Sequence, residues 1–77
     1  MEKMRFDSCD RENRTITLSH DEWFKPKAFW FAKDLPFPRL DGIAPGDYVS
    51  VQFEMKLDQT RIVAIEKYRP DMDSTSA

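Results

Sequence analysis

Residues 40–67 read LDGIAPGDYVSVQFEMKLDQTRIVAIEK, and their alternation decides the fold. Val49, Val51, Phe53, Met55 and Leu57 alternate with Tyr48, Ser50, Gln52, Glu54 and Lys56, the period of two of a strand with one buried and one wet face. Pro45-Gly46 sets a turn ahead of this strand. Proline presets the first central torsion, and glycine accepts the positive φ that a type II turn requires next. Asp58-Gln59 is expected to close a hairpin into a returning strand, Thr60 to Tyr68. There Ile62 and Ala64 take one side and Val63 and Ile65 the other, so both faces are expected to be at least partly covered, as in a barrel.

Working outward, Met4, Phe6 and Ser8 mark a short first strand, and Cys9 to Asn13 is polar enough to turn. Arg14 to His20 alternates again, with Ile16, Leu18 and His20 on one side and the β-favouring Thr15 and Thr17 on the other. Parity turns His20 inward at the strand's end. Between residues 21 and 39, Ala28 to Ala32 is the expected third strand. Pro26, Pro36 and Pro38 place it at an edge or a barrel rim, since proline cannot donate to a central ladder. Such an edge would accept a partner strand. A short helical or 3₁₀ turn is expected around Arg39 to Ile43. Five short strands with one long connection give an all-β, five-stranded barrel of the oligonucleotide/oligosaccharide-binding (OB) type, with an SH3-like barrel as the alternative. One domain spans residues 1–68, and residues 69–77, without apolar period, are expected to be a disordered tail.

A 77-residue chain buries only about 60% of the surface its unfolded form exposes, so few large side chains can be spared from the core. The single cysteine, Cys9, has no internal partner, and no second cysteine or clustered histidine stands at zinc-ligand spacing. With no apolar run of membrane-spanning length and no export-signal pattern, a cytoplasmic location without a membrane role is expected. The net charge of −2 and a pI near 5.3 argue against a duplex-DNA binder, which concentrates basic residues.

Across most of its length the chain resembles the CusF-type periplasmic copper-binding domains, through residues 13–21 (NRTITLSHD), Trp30 and residues 40–54 (LDGIAPGDYVSVQFE). That resemblance implies a five-stranded OB barrel and a copper(I) site at His20 capped by Trp30, soft thioethers completing the family's ligand set. Where the family has its methionines, three and five residues after the tryptophan, this chain has Lys33 and Leu35. The implied reading is therefore a degenerate or altered metal carrier. The final hairpin also looks like that of bacterial translation initiation factor one, through residues 45–51 (PGDYVSV), Asp58 and Arg61-Ile62.

The connection from Trp23 to Lys33 holds the candidate site. Trp23, Phe24 and Trp30 lie among Lys25, Lys27 and Lys33. Phe29 and Phe31 share one parity and Trp30 has the other, so one strand cannot hide all three rings on one face. At least one ring is expected to be exposed or covered by Trp23 or Phe24. Trp, Phe and Arg anchor protein interfaces, and aromatics mixed with lysines also suit single-stranded nucleic acid. The expected function is a non-enzymatic, cofactor-free binding module, an accessory or regulatory protein that engages a protein partner through Trp23, Phe24, Lys25, Lys27, Trp30 and Lys33. Single-stranded nucleic acid is the alternative ligand. Asp21-Glu22 has no second histidine, nucleophile or phosphate loop beside it from which acid–base chemistry could be built.

Overall fold

A computed structural model of the chain describes residues 1–69; beyond Arg69 the expected tail lies outside the described residues. Five strands form: β1 (Glu2–Asp10), β2 (Thr15–Ser19), β3 (Lys27–Phe31), β4 (Tyr48–Lys56) and β5 (Gln59–Lys67). They close into a barrel in the order β1-β2-β3-β5-β4. β4 returns to β1 antiparallel, and β3 lies parallel to β5. This closed, all-β, five-stranded order is consistent with either of the two barrel types expected, OB-like or SH3-like. No helix forms among the described residues. The helical or 3₁₀ turn expected at Arg39 to Ile43 is a single hydrogen-bonded turn, Ile43 N donating to Leu40 O at 3.2 Å, with Gly42 at φ +81°.

The Pro45-Gly46 corner forms as its residues dictate. Gly46 takes φ +96°, Asp47 N donates to Ala44 O at 2.9 Å, and the Asp47 carboxylate accepts from Ala44 N at 2.9 Å. Phe6 anchors the corner to β1, donating to Asp47 O and accepting from Gly46 N. β1 bulges next to that anchor, where its register on β2 slips between Phe6 and Ser8. β1 is also longer than expected, because its N-terminal half pairs with β4, a partner that local alternation does not reveal.

The core is Met4, Phe6, Ile16, Leu18, Phe31, Val49, Val51 and Ile62, with Trp23, Phe29, Phe37, Leu40, Ile43, Phe53 and Ile65 packed against it. Ile62 and Ile65 both serve this core although their sequence parity differs. A bulge resolves this: β4 residues 52 and 53 are adjacent, but their β5 partners are Ala64 and Ile62, so Val63 is the extra residue. The bulge resets parity, so Ile62 opposes Phe53 and Ile65 opposes Val51. Two other expectations are corrected. His20 lies just beyond β2, in a turn. Met55 and Leu57, expected on the buried face, are 75% and 89% exposed, because the β4–β5 hairpin runs on past the barrel wall.

That hairpin turns at Leu57-Asp58, one residue before the expected position, with φ +50° and +68°. Two consecutive positive values define the primed two-residue turn that asparagine and glycine favour and that strains a leucine. Replacing Leu57-Asp58 by Asn-Gly is expected to stabilise the fold by about 1 kcal/mol, raising a thermal melt by roughly 4–8 °C. An unchanged or lower midpoint would mean that the turn geometry differs.

The β1–β2 loop is held by Asp10, whose carboxylate accepts from Asn13 Nδ2 at 2.7 Å and from Asn13 N at 3.2 Å. The Asn13 side-chain bond, then its backbone bond, hold the Asp10 carboxyl below its ordinary value. A depressed folded-state pKa stabilises fully above the unfolded value, and that contribution is lost as pH falls through the folded value. In Asn13→Ala, carbon-detected NMR titration of Asp10 is expected to move its midpoint up toward the ordinary aspartate range. Identical titrations in variant and wild type would rule this bond out as the cause.

Candidate functional site

β3 divides the aromatic connection by parity. Phe29 and Phe31 point inward and Trp30 points out, 54% exposed. The ladder then builds a row across the outer surface, because Thr15 pairs with Trp30, Trp30 with Arg61, and Arg61 with Glu54. Arg61 donates to Glu54 Oε1 at 2.7 Å and to Asp34 Oδ1 at 3.3 Å. The Glu54 hydrogen bond, with the two carboxylate charges, pushes its pKa above the ordinary arginine value. Arg61 therefore stands beside Trp30 fixed in place and locally neutralised.

Two clefts flank Trp30, and both are bounded by Trp30, Phe31 and Lys33. One, of about 290 Å³, continues to Gln59 and Arg61. The other, of about 430 Å³, continues to Glu12, Asn13 and Arg14. Arg14 shapes the second cleft's floor. Its Nη2 donates to Ala32 O at 2.6 Å and also to Leu35 O, and its guanidinium lies 6.0 Å from the Phe31 ring and 5.9 Å from Phe37. These bonds commit Arg14 to pinning the segment that follows β3.

The expected patch therefore splits. Trp30 and Lys33 flank the paired clefts, whereas Trp23 is half-buried at the other end of β3. There it caps the barrel through a chain of rings, 5.7 Å from His20 and 5.8 Å from Phe29, with Phe29 4.9 Å from Phe53. Lys27 places its ammonium 4.9 Å from the Trp23 ring centre. Phe24 and Lys25 lie exposed on the loop between β2 and β3, Phe24 entirely so. β3 is no free edge either: β2 flanks one side and β5 the other, the latter through only two residue pairs.

His20 and Trp30 are not brought together. Trp30 pairs with Thr15, and His20 follows the opposite end of β2, five residues or roughly 16 Å of strand away. The ring beside His20 is Trp23, and His20 Nδ1 accepts the Glu22 backbone N–H at 3.1 Å. No cluster of three or more His, Cys, Asp or Glu side chains suited to a metal occurs among the described residues. Nor is any helix among them long and apolar enough to cross a membrane.

Arg61, Arg14, Gln59 and Glu12 escaped the sequence reading. Arg61 reaches Trp30 only through the parallel β3–β5 pairing, a contact between distant segments with no local signature. No family model, curated protein or solved structure matches the chain. What stands of the expected likeness to CusF-type domains and to translation initiation factor one is a small five-stranded closed barrel; neither family is supported beyond that.

Proposed function

We propose that the chain is a binding module that engages a protein partner through Trp30 and its two flanking clefts. The observation behind this reading is a large ring left half-exposed on a rigid strand, beside an arginine already oriented by two carboxylates. Tryptophan and arginine are the residues that most often dominate protein interfaces, and a pre-oriented side chain loses little entropy on binding. Local charge favours protein over nucleic acid. Around Trp30 the cations Lys33, Arg14 and Arg61 are balanced by Glu12, Asp34 and Glu54, which is not the basic field that collects phosphates. Single-stranded nucleic acid is the second reading, favoured by one observation: Trp30 lies on the β2–β3 face, where OB barrels take oligonucleotides.

Co-purification of the tagged chain from its source cells, in wild-type and Trp30→Ala forms, tests the proposal. A discrete protein retained by the wild type and lost by the variant supports it. A fluorescent oligonucleotide bound tightly at 50 mM salt and weakly at 200 mM, with no protein retained, replaces it by the second reading.

A further inference from the structure

On the other side of the molecule β1 presents Lys3 and Arg5 outward, with Met4 between them in the core. The ladders set Arg5 between Ser19 of β2 and Tyr48 of β4. Both cations are held by aromatic rings. The Lys3 ammonium sits 4.6 Å from the centre of Tyr48 and 4.4 Å from that of Tyr68. Arg5 lies 5.4 Å from the Tyr48 ring, and its Nη2 donates to the Tyr48 hydroxyl at 3.1 Å. A cavity of about 240 Å³ opens between them, lined by Lys3, Arg5, Ser19, His20, Asp21 and Tyr48, over Met4.

The polar groups around this cavity are mostly donors. Lys3 and Arg5 can only donate. Because His20 Nδ1 accepts from Glu22 N, the imidazole proton sits on Nε2, leaving that nitrogen as a donor too. The hydroxyls of Ser19 and Tyr48 donate or accept as required. Among the described residues lining the cavity the one carboxylate, Asp21, lies 3.6 Å from Arg5 and is 85% exposed, a contact of the kind that contributes little in water and is readily exchanged for another anion.

We infer that this cavity is a binding site for a tetrahedral oxyanion, a phosphate group held by Lys3 and Arg5, with Ser19 and His20 donating from the β2 end. The site is independent of the Trp30 clefts, which lie toward the other end of β2. Its volume accommodates one phosphate with part of an attached group, so inorganic phosphate and a phosphate monoester share the same recognition chemistry.

The test is a ¹⁵N-correlation NMR titration of the full chain with sodium phosphate, against sodium chloride at matched ionic strength. Saturable shifts at residues 3–5 and 19–21, seen with phosphate alone, are the expected result. Lys3→Gln and Arg5→Gln, both solvent-facing changes, are each expected to weaken binding at least about tenfold. Asp21→Asn is expected to tighten it by removing the competing carboxylate. A parallel titration with glycerol phosphate separates the sources: tighter binding than inorganic phosphate assigns the site to esters, and weaker binding assigns it to the free anion. Shifts that fail to saturate, that chloride reproduces, or that survive both cation replacements overturn the inference.

Discussion

Ile62→Ala is expected to cost about 2–5 kcal/mol and to leave the barrel largely unfolded in moderate urea. Ile62 is fully buried and stands where three strands meet, opposite Phe31 of β3 and Phe53 of β4. Truncation there leaves a cavity in a close-packed core, and the cost grows with the cavity that remains. The loss is severe because a chain of this length has a total stability of only about 4–12 kcal/mol. Ile62→Val removes one methylene and should cost about 0.5–1.5 kcal/mol. Urea unfolding followed by circular dichroism gives both values. An alanine variant within a few tenths of a kcal/mol of the wild type would mean that Ile62 does not fill the β3–β5 junction.

Trp30→Ala is expected to leave the melting temperature nearly unchanged while weakening partner binding by about 2–4 kcal/mol, roughly 30- to 700-fold. The two changes touch neighbouring residue pairs of one ladder: Ile62 pairs with Phe31 inside, and Trp30 with Arg61 outside. The contrast is therefore a test of facing. Arg61→Lys is a useful companion, because lysine keeps the charge and cannot reproduce the planar contact with Glu54. Isothermal titration of the wild type, Trp30→Ala and Arg61→Lys against a co-purified partner makes the comparison. If Trp30→Ala binds like the wild type, the ring is not the anchor. If it unfolds, the ring belongs to the fold.

Alternation made β2 and β4 legible, and Pro45-Gly46 marked its corner because only certain residues accept those torsions. That Trp30 takes the parity opposite to Phe29 and Phe31 is also readable, and with it the expectation that at least one ring is exposed or covered by Trp23 or Phe24; which ring is left out, Trp30 at 54% exposed, comes from the structure. What escaped has a common cause. The bulge at Val63 breaks the parity of β5, but the sequence alone does not distinguish an inserted residue from a strand covered on both faces, because the bulge is a property of the pair β4–β5. The same holds for Arg61 beside Trp30, which depends on a parallel contact between distant segments. Met55 and Leu57 continue the apolar alternation beyond the point where the barrel has anything to pack against them. Arg14 looked like an ordinary strand residue, although its guanidinium holds the carbonyls of Ala32 and Leu35.

The two-pair contact of β3 with β5 has a mechanical consequence. A cylinder parts first along its shortest join, and Trp30 with Arg61 is the outward-facing one of these two pairs. A guest resting on both residues would act as a clasp over that join, so occupancy and closure reinforce each other. At a hundredfold excess over its dissociation constant such a guest would add about 2.7 kcal/mol of stability, and the rise in melting point would report its arrival.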